Sequence, residues 1–179
     1  MNVKKLLILI VLFYFLALLQ SSFLIHFNLF GAVPNLVFIL FFMLVFFEKN
    51  KQPVQLESYY SVAYTAIIAG IFLDFFSYTY LGPSTILFLA IGLILKKLQS
   101  SLINKNDNNP FVYFSFLFVI FLLIYNFLLG LFLSPNNFTA IFSVETFFLI
   151  IYNLLIAFVL FYIYKKLNGK NLSNKKFKP

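Results

Sequence analysis

Six apolar stretches, separated by short polar or proline-containing connections, run along this chain of 179 residues. A bilayer core of about 30 Å needs about 20 helical residues to cross it, and the first, third, fifth and sixth stretches approach that length. The second and fourth are shorter, and we expect them to borrow flanking residues, to tilt little, or to pack against neighbours where the bilayer is thinned. The stretches are Leu6–Ile25, Pro34–Phe47, Tyr59–Phe76, Leu81–Leu95, Phe111–Leu133 and Val144–Tyr164.

Helix-breaking residues lie between these stretches, where helix ends are expected. Pro34 and Pro83 are at the starts of spans two and four, where a missing N–H costs nothing. Asn109 and Pro110 give span five an N-cap and a first-turn proline. The period-two alternation of a membrane barrel is absent. The sequence therefore predicts an all-α integral membrane protein, a compact bundle of six transmembrane helices.

The basic residues predict the orientation of this bundle. All 13 are lysines; Lys4 and Lys5 precede span one, and the others follow spans two, four and six. The other three connections contain none, so the positive-inside rule places both termini in the cytoplasm. This topology accounts for the net charge of +8 without a nucleic-acid partner. We expect a transmembrane domain over residues 1–166 and a basic, disordered cytoplasmic tail over 167–179, with membrane lipids as neighbours.

The composition argues against most catalytic chemistry. Hydrophobic residues make up 63% of the chain and charged residues 10%, against about 45–50% and about 25% in soluble domains. There is no cysteine and only one histidine. Phosphate-binding loops, HExxH sequences and a serine–histidine–aspartate set are also absent. We therefore expect no cofactor, no metal and no enzymatic activity.

Polar residues inside the apolar spans are the main candidates for a site, since such residues are rare in membranes and usually functional or paired. At 1.5 Å per residue, Gln20, Asp74 and Asn126 all lie roughly 21–22 Å from the cytoplasmic face. Asn153 lies one to two turns deeper in span six than Glu145, which is at its outer edge. We expect a polar layer in the outer half of the bundle. It is interpreted either as hydrogen bonding that joins helices, which we favour, or as a substrate or partner site.

The order of several short motifs resembles the MreD family, small membrane subunits of the bacterial rod-shape machinery. The main motif reads GIFLDFFS from Gly70 to Ser77, with Asp74 as its acidic residue, and Leu81-Gly82 follows it. Three other segments are also similar: LQSS at 19–22, GAVPNL at 31–36, which includes Pro34 and Asn35, and Tyr152-Asn153. The family commonly has aspartate where Asn35 stands in this chain.

The resemblance implies a fold similar to the substrate-binding subunits of energy-coupling-factor vitamin transporters, and a role without catalysis. MreD-like proteins sit in the bacterial inner membrane with an MreC-like protein, the MreB filament system and the elongation-specific peptidoglycan synthases. They support lateral peptidoglycan synthesis and cell shape. Pro34, Gly70, Asp74, Ser77 and Gly82 carry over as motif positions, without assigned roles.

Two other functions remain as alternatives at this stage. The polar layer could line the pocket of a vitamin-binding transporter subunit, although such pockets need several polar groups and few are available. Asp74 and Glu145 could in principle form a carboxylate pair in an enzyme that acts on lipid. No histidine, arginine or metal set accompanies them in the sequence.

Overall fold

The computed structural model describes residues 3–48, 56–77, 80–102, 110–133 and 143–173. Within these ranges the chain is helical and contains no β-strand, which confirms the all-α prediction. A short 3-10 helix, Leu24–Phe27, follows the first of six α-helices. These are α1 Val3–Ser22, α2 Leu36–Phe46, α3 Leu56–Phe76, α4 Pro83–Leu102, α5 Pro110–Leu133 and α6 Val144–Ser173.

Four of the helices are long and apolar enough to cross a membrane, namely Val3–Ser22, Leu56–Phe76, Phe111–Phe132 and Val144–Lys166. The chain is accordingly a multi-pass helical membrane protein. α2 is apolar but has only 11 residues, and the last two turns of α4 carry polar and charged side chains. The count of six spans and the orientation of the termini stay predictions.

The predicted ends of the helices are close to the observed ones where proline or glycine marks them. Pro83 and Pro110 are the first residues of α4 and α5. α4 continues past the predicted end at Leu95, and α6 continues past residue 166 to Ser173. Lysine, leucine and glutamine are good helix formers, so loss of hydropathy does not end a helix. The predicted tail is therefore helical over 167–173, and its remainder, 174–179, lies outside the described residues.

The shortest helix, α2, lies at the centre of the bundle and packs against α1, α3, α4, α5 and α6. Eight of its 11 residues are buried. The ring of Phe38 contacts those of Phe88 on α4 and Phe118 on α5, with centroids 5.8 Å apart in both cases. A helix that is apolar on every side is expected to be surrounded. The sequence of α2, with no polar residue at all, meets that condition.

The other five helices surround α2 in the order α1, α3, α4, α5, α6. Within the described part of the chain, α1 and α6 make at most marginal contact, so this ring is open between them. α3 and α4 approach each other most closely, at Gly70. A Cβ on Gly70 would overlap Thr85 Cα and lie 2.7 Å from Thr85 N, so only glycine allows this approach.

Candidate functional site

The Asp74 carboxylate, which is 1% exposed, lies against the N-terminus of α4. Its Oδ1 accepts from Ser84 N at 2.9 Å, and its Oδ2 accepts from Gly82 N at 2.9 Å, Thr85 N at 3.2 Å and Thr85 Oγ1 at 3.0 Å. The first N–H groups of a helix have no partner within it and carry the positive end of its dipole. Asp74 on α3 therefore caps α4 from outside that helix.

The residues around Asp74 make this capping contact possible. Gly70, one turn earlier, admits the backbone of α4. Gly82 has φ +121°, in the region that favours glycine, and this orients its N–H toward the carboxylate. Ser77 Oγ donates to the Asp74 carbonyl oxygen at 3.1 Å. The motif from Gly70 to Gly82 is thus one structural unit that fixes α4 on α3.

A chain of hydrogen bonds continues from this cap to the N-terminus of α2. Ser84 Oγ lies 3.1 Å from the buried hydroxyl of Tyr125 on α5, and Tyr125 also interacts with the Asn35 side chain. Asn35 is the N-cap of α2: its Oδ1 accepts from Phe38 N at 2.9 Å. Its own N–H donates to Asn153 Oδ1 on α6 at 2.8 Å. This network, Asp74–Ser84–Tyr125–Asn35–Asn153, joins five helices.

Side chains of α4 bond to the backbone carbonyl oxygens at the opposite, C-terminal end of α2. Gln99 Nε2 donates to the carbonyl oxygens of Phe46 at 2.6 Å and Glu48 at 3.1 Å. Lys96 Nζ lies 3.4 Å from the Glu48 carbonyl oxygen and 3.6 Å from its carboxylate. Lys96 is one residue past the predicted fourth span and fully buried. Burial lowers the pKa of Lys96, and the adjacent Glu48 carboxylate partly opposes this shift.

The length of α2 explains why at least one of its ends needs side-chain partners. Eleven residues give a helix about 16 Å long, so in a bilayer core of about 30 Å its two ends cannot both reach water. An unpaired backbone group in that environment costs several kcal/mol. Asn35 and Asn153 at one end, with Gln99 and Lys96 at the other, supply the missing partners. The polar side chains of the bundle therefore join and cap helices.

The structure brings only part of the predicted polar layer together. Asp74 and Asn153 belong to the network, and Pro34 is buried just before Asn35. Asn126 instead donates to the Leu122 carbonyl oxygen of its own helix at 2.8 Å. Gln20 is half-buried, and its Oε1 has no hydrogen-bond partner among the described residues. Estimating depth from the helical rise does not fix which side of the helix a residue faces, and here Tyr125 rather than its neighbour faces inward.

Glu145 lies apart from this network, exposed in the first turn of α6. It lies near the turn before α2, where a Cβ on Gly31 would lie 3.6 Å from the carboxyl carbon of Glu145. Asp74 is buried, and its oxygens accept four hydrogen bonds from the start of α4. None of these hydrogen bonds joins Asp74 to Glu145.

Five residues of the capping contacts were not predicted from the sequence: Ser84, Thr85, Lys96, Gln99 and Tyr125. The sequence GPST at 82–85 was a usable signal for two of them, since glycine, proline and hydroxyl residues are typical of a helix start. Lys96 was assigned only to topology. Nothing in the sequence connects it or Gln99 to α2, because that contact depends on which helix is central.

Two surface features of the described residues lie outside the network. The first, here called the α1 face, is the exposed apolar side of α1, formed by Leu7, Ile8, Val11, Leu12 and Phe15. The second, here called the α1/α6 cleft, has a volume of about 300 Å³. It lies where the ring is open and is lined by residues of α1, α2, α3 and α6.

The donor set does not provide a metal centre: the described residues contain no group of three histidine, cysteine, aspartate or glutamate side chains that could hold an ion. The site is instead a set of helix caps around a short central helix. Comparison of the chain with models of protein families, with curated proteins and with solved structures finds no match.

Proposed function

We propose that this chain is a non-enzymatic, six-span subunit of the bacterial cell-elongation complex, in the inner membrane with both termini in the cytoplasm. It supports lateral peptidoglycan synthesis and cell shape through helix–helix contacts with an MreC-like membrane protein. The elongation synthases and the MreB filament system are the wider partners. The resemblance of the Gly70–Gly82 motif to the MreD family supports this proposal, and so does the structural unit that the motif forms.

The use of the polar side chains supports a role in assembly. Asp74 accepts four hydrogen bonds, and Asn35, Asn153 and Gln99 bond to backbone groups at the ends of α2. These groups hold the bundle together, and a reacting substrate would have to displace them. The surface that remains for a partner within the membrane is largely apolar.

The exposed α1 face is the observation that carries the proposal. α1 buries only Leu9, Phe13 and Ala17, so most of its surface is open to a neighbour. Lipid tails are as apolar as leucine, and helices associate in a bilayer through close van der Waals packing rather than hydrophobicity. The exposed leucine, isoleucine, valine and phenylalanine side chains of the α1 face can interlock with those of a partner helix. The partner helix that we propose is the single span of the MreC-like protein.

Co-purification with the MreC-like protein of the same genome tests this proposal. Phe15 on the α1 face is 59% exposed, and Phe116 on α5 is 64% exposed outside it, so Phe15→Ala and Phe116→Ala are a matched pair. We expect Phe15→Ala to reduce recovery of the partner at least about fivefold, as loss of an interface contact worth 1 kcal/mol does. Phe116→Ala is expected to leave recovery unchanged.

Two results would contradict the proposal. One is equal recovery of the partner with both variants. The other is absence of association with the unmodified chain, together with cells that stay rod-shaped after its depletion.

The geometry favours neither alternative function. In a vitamin-binding subunit the polar layer would present free donors and acceptors to the ligand, whereas Asp74, Asn35 and Asn153 are bonded within the bundle. Equilibrium binding of vitamins to the purified protein tests that function directly. A lipid-modifying enzyme would need an accessible base, and the buried Asp74 carboxylate is not accessible.

A further inference from the structure

The α1/α6 cleft exposes the side of the central helix at its cytoplasmic end. Leu44 is the one residue of α2 that is more than a third exposed, and it lies in this cleft. Residues of α1 and α3 form the walls of the cleft, and α6 contributes Tyr164 to its lining. The cleft is lined by Lys5, Leu9, Leu40, Met43, Leu44, Val45, Phe47, Glu48, Ser61, Val62, Thr65 and Tyr164.

Lysines outnumber carboxylates around the cleft, where the exposed Glu57 lies one turn before Ser61 on α3. Lys5 is exposed at its edge and has no ion-pair or hydrogen-bond partner in the described ranges. The only acidic residue of the lining, Glu48, is already 3.6 Å from Lys96. Lys165 and Lys166 directly follow Tyr164 and are exposed. An occupant with an anionic end therefore meets an unpaired cation above an apolar interior.

We propose that the α1/α6 cleft binds an anionic phospholipid of the cytoplasmic leaflet. One acyl chain lies against Leu40, Met43 and Leu44, and the phosphate contacts the Lys5 ammonium. Basic pockets between transmembrane helices on the cytoplasmic side are typical sites for anionic headgroups. The bound lipid thus covers the part of α2 that the open ring of helices leaves exposed.

The size of the cleft favours a lipid chain over a protein helix. Its volume of about 300 Å³ is at the lower limit of small-molecule pockets. A helix with its side chains is about 10–12 Å across, and a cleft of about 300 Å³ is too small to enclose one. Thr65 Oγ1 donates to the Ser61 carbonyl oxygen. The α3 wall of the cleft therefore presents carbon atoms and the hydroxyl of Ser61. A water-soluble phosphate would gain the contact with Lys5 but nothing from the apolar remainder of the lining.

The test compares the lipids that the purified full-length protein retains. Native mass spectrometry in neutral detergent measures binding of phosphatidylglycerol and of phosphatidylcholine with the same acyl chains. Lys5→Ala is matched by Lys4→Ala, which makes the same change of charge one residue away and outside the lining. We expect Lys5→Ala to reduce retention of phosphatidylglycerol about fivefold, as loss of one lysine at an anionic headgroup does. Retention of phosphatidylcholine is expected to stay unchanged, and Lys4→Ala to have less than a twofold effect.

A second variant tests the position of the acyl chain. Leu44→Phe adds volume inside the cleft and is expected to reduce retention of both lipids; Ser61→Val makes the same test from α3 should Leu44→Phe not fold. Equal losses with Lys4→Ala and Lys5→Ala would show attraction by the basic surface as a whole and overturn the proposal. Unchanged retention with a folded cleft-filling variant, or equal competition by glycerol 3-phosphate, would also overturn it. No partner protein is used, so the outcome is independent of the elongation-complex proposal.

Discussion

Replacement of Asp74 by asparagine tests the capping of α4 by α3, because it keeps the shape of the side chain and removes its charge. Asparagine retains one oxygen. Placed where Oδ2 now lies, this oxygen still accepts from Gly82 N, Thr85 N and Thr85 Oγ1. Its NH2 group then faces the N–H of Ser84, which loses its acceptor. The opposite orientation leaves more donors unpaired and is therefore less stable.

The expected cost follows from three contributions. One buried donor without a partner costs about 1–3 kcal/mol, and the three remaining hydrogen bonds weaken because their acceptor is no longer ionised. Loss of a negative charge at a helix N-terminus costs about 0.3–1 kcal/mol, and about 2 kcal/mol where it is shielded from water. These contributions are not additive. We expect the free energy of unfolding to fall by about 3–5 kcal/mol for Asp74→Asn.

Unfolding by sodium dodecyl sulfate in mixed micelles, followed by circular dichroism, measures this difference. Glu145→Gln is the matched control, since it neutralises an exposed carboxylate in the first turn of α6 and is expected to cost at most about 1 kcal/mol. The reasoning fails if the two variants differ by less than about 1 kcal/mol. If the Asp74→Asn protein stays folded and assembled with its partner but loses cellular function, this result would instead point to a catalytic role.

Three further substitutions test other contacts by the same unfolding measurement. Gly70→Ala places a methyl group against Thr85 and is expected to cost about 1–3 kcal/mol. Its control, Gly130→Ala, has nothing within 4 Å of its Cβ and is expected to stabilise the protein by about 0.5–1 kcal/mol. Equal effects of the two substitutions would contradict the close approach of α3 and α4. Gln99→Leu removes the donor to the last carbonyl oxygens of α2 and is expected to cost about 1–3 kcal/mol, with faster hydrogen exchange in the last turn of α2; unchanged exchange would argue against this cap. Burial lowers the pKa of Lys96 below its ordinary value of 10.5, so the unfolded chain binds more protons and stability is expected to rise with pH between the lowered pKa and 10.5. Lys96→Met should remove that rise, and an identical pH profile in both proteins would refute it.

The hydropathy pattern predicted the helices well because burial in lipid depends on local composition. It predicted their ends less well where polar residues continue a helix, as in the last turns of α4 and α6. The predicted depth of the polar layer was calculated from the helical rise of 1.5 Å per residue. The direction of each side chain did not, and a rotation of about 100° per residue separates the inward Tyr125 from Asn126.

The central position of α2 was the main feature that the sequence did not reveal. All of the spans are apolar, so hydropathy does not distinguish a helix surrounded by protein from one surrounded by lipid. Its short length was visible, and we expected it to borrow flanking residues, to tilt little, or to pack against neighbours in a thinned bilayer. Once α2 is placed in the centre, the positions of Asn35, Asn153 and Gln99 follow from the need to satisfy its ends.

The capping of α2 by later parts of the chain has a consequence for biosynthesis. Among the described residues, the N–H of Asn35 is bonded by Asn153 and the carbonyl oxygen of Phe46 by Gln99, so α2 is synthesised long before these two partners. A chain that stops before α6 lacks the partner of the Asn35 N–H. We expect such a truncated chain to be degraded faster than a chain that contains α6.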